Sequence, residues 1–184
     1  MRIISGLYRG RNLKSPPDAK TRPTSDRLRE TLFNVLAPRI NDETRFLDLC
    51  AGTGAVGIEA LSRGALFTTF VDKSRRSCAL IEENLDLLDI PDEETEVVCL
   101  TAENFTSRQH EQSWDIAYFD PPYQTDYAPV LQDFGEYESK LLTGDGIFIA
   151  EHHAKTVLPD VRGAIRRWRI IKQGENCLSF YERN

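Results

Sequence analysis

Long apolar runs are missing from this chain. Stretches such as Ile147-Phe148-Ile149-Ala150 end after four residues, far short of the ~18–20 that a membrane-crossing helix needs. The first residues hold no apolar segment either, since Arg2 is soon followed by Gly6, Tyr8 and Arg9; a secretory leader is not expected. Cysteine is sparse, at four of 184 residues. Cys50, Cys78, Cys99 and Cys177 contain no Cys-x-x-Cys pair, which argues against a zinc cluster and points to reduced, buried thiols in a cytoplasmic protein. Histidine is sparser still, and His110, His152 and His153 lack metal-ligand spacing, so no metal is expected.

What is present describes an ordinary folded chain. Hydrophobic residues at 40% and charged residues at 28% exclude wholesale disorder, and the length suits one domain with room for a small appendage. The net charge of −6 argues at first against nucleic-acid binding, but it is an average. Residues 1–40 carry nine Lys or Arg against three Asp or Glu, a local +6 that leaves −12 on residues 41–184. Such asymmetry suggests a polyanion-facing element on an acidic body. A basic, merely solvated surface explains the charge equally well.

Residues 2–14 alternate apolar and polar around Gly6 and Gly10, the pattern of a short β-hairpin. Pro16-Pro17 and Pro23 punctuate an extended linker. Thr24, Ser25 or Asp26 can then cap a helix through Leu36, with Leu28, Leu32, Phe33 and Leu36 on one stripe and Pro38 ending it. Beyond that point short strands alternate with helices. Strands are predicted at Arg45–Leu49, Leu66–Asp72, Glu96–Leu100, Asp115–Asp120 and Gly146–Glu151. Helices are predicted at Ala55–Ser62, Ser74–Leu88 and Ala128–Leu142, with a short turn near Glu103–Phe105. A closing antiparallel hairpin is predicted from Ile165–Lys172 and Cys177–Glu182 around Gly174-Glu175-Asn176. Alternating β and α elements define an α/β fold with a mostly parallel sheet covered on both faces. The domain plan is therefore a basic hairpin-plus-helix extension, 1–40, on a body of residues 41–184.

The loop Asp48-Leu49-Cys50-Ala51-Gly52-Thr53-Gly54-Ala55-Val56-Gly57 joins the first of these strands to its helix. Glycine there lets the backbone turn tightly and approach a ligand beside a positive helix N-terminus. Gly52-x-Gly54-x-x-Gly57 matches the dinucleotide fingerprint, and Asp72 ends the next strand 20 residues after Gly52, well placed for ribose hydroxyls. An NAD-dependent oxidoreductase is one reading. Asp48 favours another, because a carboxylate entering the loop repels a pyrophosphate but suits the ammonium of S-adenosylmethionine. A ligand-free glycine turn is the bland alternative.

The second constellation is Asp120-Pro121-Pro122-Tyr123, directly after an apolar strand. Two prolines cannot continue a ladder and leave Asp120 and Tyr123 on a stiff loop. Asp120 and the Pro121 carbonyl can accept both hydrogens of an exocyclic base amine, turning its lone pair toward an incoming methyl, while Tyr123 stacks on the base. An ordinary Pro-Pro turn is the alternative here.

Asp-x-x-x-Gly-x-Gly followed by Asp-Pro-Pro-Tyr resembles the class I amino-methyltransferases of nucleic-acid bases. Further blocks carry the likeness: Arg2-Ile3-Ile4-Ser5-Gly6, Arg9-Gly10-Arg11, the run from Arg22-Pro23-Thr24 to Leu36, and Gly57-Ile58-Glu59-Ala60-Leu61-Ser62-Arg63-Gly64-Ala65. Together they resemble the RsmD family, bacterial guanine-N2 methyltransferases of small-subunit (16S) ribosomal RNA. The resemblance implies a Rossmann-like, seven-stranded, mostly parallel sheet and S-adenosylmethionine as cofactor. It implies cofactor contacts from Asp48, Ala51, Gly52, Thr53, Gly54, Asp72, Ala102 and Glu103, and catalysis by Asp120, Pro121, Pro122 and Tyr123. The expected partner is 16S RNA within the small ribosomal subunit or its assembly intermediate, met by a cytoplasmic monomer through Arg9, Arg11, Lys14 and Arg22. Asp-Pro-Pro-Tyr is shared with adenine-N6 and cytosine-N4 enzymes acting on DNA or RNA, which leaves the base open on that motif alone. A second basic run, Arg162 to Lys172, reads as an exposed strand face, and Trp114 and Trp168 as core or edge aromatics.

Overall fold

The computed structural model describes residues 1–16, 26–122 and 124–184. Its strands are β1 (Arg45–Leu49), β2 (Phe67–Asp72), β3 (Thr95–Cys99), β4 (Trp114–Phe119), β5 (Leu142–His153), β6 (Val161–Arg162), β7 (Ile165–Gln173) and β8 (Asn176–Arg183). Its helices are α1 (Asp26–Leu36), α2 (Ala55–Ser62), α3 (Arg75–Leu87), α4 (Ala102–Thr106) and α5 (Ala128–Gly135). The strands form one sheet ordered β3-β2-β1-β4-β5-β8-β7-β6. The first five are parallel and the last three pair antiparallel. Strands β1 and β4 are apolar on both faces because helices cover both sides.

On one face α1 packs Leu28, Leu32, Phe33 and Leu36 on Phe46, Ile116, Ile147 and Phe180, and Ile58 of α2 and Ile81 of α3 meet Phe70. On the other, Phe105 of α4 and Leu131 and Phe134 of α5 meet Leu47, Phe119 and Phe148. Gly57 is required by this packing: a Cβ there would lie 2.3 Å from the Phe70 ring. Each crossover helix starts at the carboxyl ends of the strands and finishes at their amino ends. No helix among the described residues is long and apolar enough to cross a membrane.

The amino-terminal residues form a strap rather than a regular hairpin. Pairing is limited to an isolated bridge between Arg2 and Asn12 and bonds such as Ile3 N–H to Arg11 O at 3.0 Å and Leu13 N–H to Met1 O at 2.8 Å. Side chains of α2 and α3 take over the remaining backbone groups. The fully buried Glu59 accepts from Ile4 N–H at 2.8 Å and Ser5 N–H at 3.0 Å. Ser62 receives Tyr8 N–H at 3.0 Å, and buried Asn84 receives Lys14 N–H at 2.7 Å. Ile3 and Leu13 thereby join the core beside α2 and α3. Glu59 also meets Arg63 Nε at 2.8 Å and lies 3.8 Å from Nε of Arg29. Arg29 is itself fully buried, donating to Arg2 O at 2.6 Å and Asp26 at 3.1 Å.

Several predicted boundaries are corrected. The sheet has eight strands, not seven, because Val161 and Arg162 pair with Arg166 and Ile165 as a two-residue edge strand. Helix α5 ends at Gly135 instead of Leu142. Gly135 meets the backbone of Arg162, where a Cβ would lie 2.3 Å from the carbonyl oxygen, and its own carbonyl accepts Ala164 N–H at 2.7 Å. Strand β5 accordingly starts early, at Leu142, with a register shift between Trp114 and Ile116 of its partner. The cysteines are free but not uniformly buried: Cys78 and Cys177 are, Cys50 is half-buried and Cys99 exposed. Among the cap candidates, Thr24 and Ser25 lie outside the described residues. Trp114 is buried, donating to Thr69 at 3.1 Å, and Trp168 is an exposed edge residue against Phe180.

Removing the Glu59 carboxylate leaves buried Arg29 with only the half-exposed Asp26 as its acid and strips two strap N–H groups of their acceptor. Glu59→Ala is expected to lower unfolding stability by about 3–5 kcal/mol, read from urea midpoints. A loss below ~1 kcal/mol would show that the strap holds by apolar contact alone.

Candidate active site

The carboxyl ends of β1, β2 and β4 bring the sequence-predicted acids together. At the exit of β1 the chain takes Cys50 through a left-handed conformation, φ 64°, which costs a non-glycine residue about 1–2 kcal/mol. This turns the loop across β2, where Ala51 N–H reaches Val71 O at 3.0 Å. Gly52 and Gly54 follow at φ 59° and 76°. Two carboxylates clamp the loop from below and beside it. Asp48 accepts Gly57 N–H at 2.9 Å from inside the first turn of α2. Asp72 accepts Gly52 N–H at 2.9 Å through one oxygen and Ser74 N–H at 2.8 Å through the other.

Thr53 is held from the strap side, its carbonyl accepting from Asn84 Nδ2 at 3.0 Å while the same amide group donates to Lys14 O at 3.2 Å. Ala102 is buried at the start of α4, whose cap is Thr101, and Glu103 stands half-exposed beside it. Asp120 follows β4, with its N–H donated to Leu49 O at 3.3 Å; it is half-exposed, Pro121 is buried and Pro122 exposed. Tyr123 lies outside the described residues.

Cys50 reports how tightly the acids are grouped. Its thiol is pushed upward first by burial and then by the fields of Asp72, Asp120, Glu103 and Asp48. Three carboxylates from three different elements, Asp72, Asp120 and Glu103, thus lie within electrostatic reach of Cys50 at the strand ends, with Asp48 buried beneath them, surroundings that disfavour phosphate. Asp48 itself is buried; that burial, opposed by the Gly57 N–H and reinforced by Asp72, raises its carboxyl to about 7. Its side chain lies beneath the loop, not in the open mouth.

The basic residues are distributed differently. Arg11 donates to Leu87 O at 2.9 Å, at the far end of α3, about 20 Å along that helix from Asp72 at ~1.5 Å per residue. Arg9 lies on the same exposed tip, which folds against Ser62 at the end of α2. Lys14 stands nearer the loop but pairs with Glu83 at 2.9 Å. The structure does not bring Arg9 and Arg11 to the acidic edge, and Arg22 lies outside the described residues. Sequence reasoning missed Asn84, the buried amide that joins strap to loop. Its only signal was a polar residue on the apolar stripe of α3.

A doubly covered, mostly parallel sheet with a glycine loop after β1 and acids at the carboxyl ends of β2 and β4 defines a Rossmann-like protein of the methyltransferase class. The chain belongs to the family described as Conserved hypothetical protein 95, whose model matches residues 1–182. Among its relatives, the Ribosomal RNA small subunit methyltransferase D of Escherichia coli K12 is 34% identical over 187 residues, covering 100% of this chain and 90% of that one. The Haemophilus influenzae protein of the same name is 38% identical over 129 residues, 70% of this chain and 66% of that one. The solved structure of yhhF from Escherichia coli superposes with a TM-score of 0.86 at 32% identity, covering 100% of this chain and 98% of that one.

The raised Asp48 carboxyl has a consequence for stability. Between about pH 4 and 7 the folded chain keeps a proton on Asp48 that the unfolded chain has released, so this group erodes stability as pH rises through that window. The ceiling above pH 7 is about 4 kcal/mol. Asp48→Asn keeps an acceptor for Gly57 N–H but removes the charge. Its stability relative to the parent is expected to rise from pH 5 to pH 8 by urea unfolding; a difference independent of pH would show that Asp48 is not protonated in the fold.

Proposed function

We propose that the protein transfers the methyl group of S-adenosylmethionine to the exocyclic N2 amine of a guanine in small-subunit (16S) ribosomal RNA. The observation that carries this reading is the grouping of Asp72, Asp120 and Glu103 around Cys50 at the strand ends, adjoining the Asp-Pro-Pro turn. A zwitterionic, phosphate-free cofactor suits those surroundings, whereas the pyrophosphate of NAD would meet the fields of Asp72, Asp120 and Glu103. The family relatives' names support ribosomal RNA as substrate.

In this reading Ala51, Gly52, Thr53 and Gly54 give the cofactor close backbone approach, and the start of α2 favours its carboxylate. Asp72 has lone pairs left for ribose hydroxyls beyond its two N–H partners. Ala102 and Glu103 border the adenine. Asp48 works from beneath, holding the loop through Gly57. S-adenosylmethionine supplies an electrophilic methyl, and no general base is needed before transfer. Asp120 and the Pro121 carbonyl accept the two amine hydrogens and direct the nitrogen lone pair outward. Once the amine is alkylated, Asp120 can take the proton. Pro121 and Pro122 keep that acceptor pair stiff, and Tyr123 stacks on the base. The partner is the RNA within the small subunit or its assembly intermediate, met by a cytoplasmic monomer built from a 1–40 extension on a 41–184 catalytic body. Arg9, Arg11, Lys14 and Arg22 hold RNA phosphates, so they contribute affinity and not chemistry.

Asp120→Ala is expected to abolish transfer to small-subunit RNA, a drop of at least about 100-fold, while calorimetric titration with S-adenosylhomocysteine shows unchanged affinity. Retained turnover would remove Asp120 from the mechanism. Mass-spectrometric nucleoside analysis of 16S RNA from a strain lacking the gene should show the loss of one N2-methylguanosine; loss of a methylated adenine or cytosine would replace the base assignment. Replacing Arg9, Arg11 and Lys14 together with Ala is expected to weaken RNA binding and flatten its salt dependence, by about 0.7–0.9 in log–log slope for each phosphate no longer neutralised. Cofactor affinity should hold. An unchanged slope would take the strap out of the RNA interface.

A further inference from the structure

We infer that a cleft on the β5 side of Asp120 is a subsite for the single RNA nucleotide flanking the methylated base; the inference rests on the methyltransferase reading and adds to it where the RNA lies. The cleft holds about 260 Å³ and runs between the start of α5 and the segment that descends from β5 to β6. Its deeper walls are apolar, Tyr127 and Leu131 on one side and Leu158 and Pro159 on the other. Thr125, Asp126, Thr156 and Arg162 supply the polar lining. That volume is below the ~300–1,000 Å³ of sites for whole small-molecule ligands and suits one planar ring system.

Position argues for RNA as the occupant. Along the edge of the sheet the order is Asp72 on β2, the glycine loop after β1, Asp120 after β4, then the end of β5. The cofactor reading occupies the β2 and β1 side, so an acceptor base must reach Asp120 from the β5 side. The cleft begins there, its first residue Thr125 donating its N–H to Pro122 O at 2.9 Å. A base turned out of the stack toward Asp120 leaves its neighbour unstacked, and RNA-binding proteins meet such bases with flat or apolar side chains.

The walls are preformed. Tyr127 donates its hydroxyl to Glu151 O at 2.9 Å, Tyr181 donates to Pro159 O at 2.8 Å, and Arg167 donates to Leu158 O at 3.3 Å. At the lip, Val157 is 91% exposed, an apolar side chain with no part in the core. Arg162 closes the cleft, its guanidinium resting on Gln132, within reach of a phosphate. Two acids are nearby: Asp126 caps Ala128 N–H at 2.9 Å, and Asp160 is paired with Arg167. Asp126 brings its charge to the cleft lining, with Arg162 as the facing cation.

The test is steady-state methylation of small-subunit particles from a strain lacking the gene, using Val157→Asp, Val157→Phe and Arg162→Ala. Val157 is outside the core, so folding is not at stake, and equal thermal midpoints check this. Val157→Asp is expected to raise KM for the particles about tenfold, equivalent to ~1.4 kcal/mol, with kcat and S-adenosylhomocysteine affinity within twofold. Arg162→Ala should raise the same KM and reduce its salt dependence, and Val157→Phe, which enlarges the stacking face, should keep or lower it. An active parent whose KM is unmoved by Val157→Asp overturns the subsite alone. A parent that transfers no methyl to 16S RNA overturns the functional reading and the subsite with it.

Discussion

Two carboxylate-to-backbone bonds hold the β1–α2 junction, and most of the molecule is arranged around it. Asp48 receives Gly57 N–H and Asp72 receives Gly52 N–H, each at 2.9 Å. Together they bend the loop over the end of β2, direct α2 away from it, and press Gly57 against Phe70. A side chain at Gly57, or an acceptor missing at either acid, would separate helix from sheet where a ligand must approach. The arrangement carries a cost, since Asp48 is buried with its charge disfavoured. That is the usual exchange of stability for a pre-set electrostatic field at a site.

The amino-terminal strap shows the same device. Residues 1–14 have too little apolar surface for a hairpin of their own, and their backbone groups are satisfied by Glu59, Ser62 and Asn84, side chains of the helices beneath. Asn84 bridges both regions, since one amide holds Lys14 and the carbonyl of Thr53. Order in the strap and order in the glycine loop are therefore linked through this buried residue. The strap also carries Arg9 and Arg11 to the opposite end of α2 and α3 from Asp120. Arg9 and Arg11 thus do not form a patch beside the acids. Charge separated in sequence is separated again in space, and the surface adjoining Asp120 is largely apolar, with Arg162 at its margin.

Local chemistry made much of this legible. The strand Arg45–Leu49 and the helix Ala55–Ser62 coincide with their expected bounds, because an apolar run ending in a glycine turn constrains both elements within ten residues. The acids at the strand ends were legible for the same reason: Asp72 and Asp120 each close an apolar segment of clear period, and Asp48 is the one acid of β1, just before the glycine loop. The end of α5 was not. Nothing between Ala128 and Leu142 forbids a longer helix until Gly135 meets Arg162, some 27 residues away. Nor could β6 be read, since two residues become a strand only when β7 offers its edge. Eight strands instead of seven follow from that one pairing.

The sequence by itself determined the order of β and α elements, the glycine loop and the acids that follow each strand. These depend on periodicity, proline and glycine, which act over a few residues. Only the tertiary structure decided which acids share a site, which basic residues stand near it, and where a cleft opens beside Asp120. Those are matters of distance between segments remote in sequence. The parallel sheet sets them by aligning the carboxyl ends of β1, β2, β4 and β5 on one edge and sending the tip of the strap to the other.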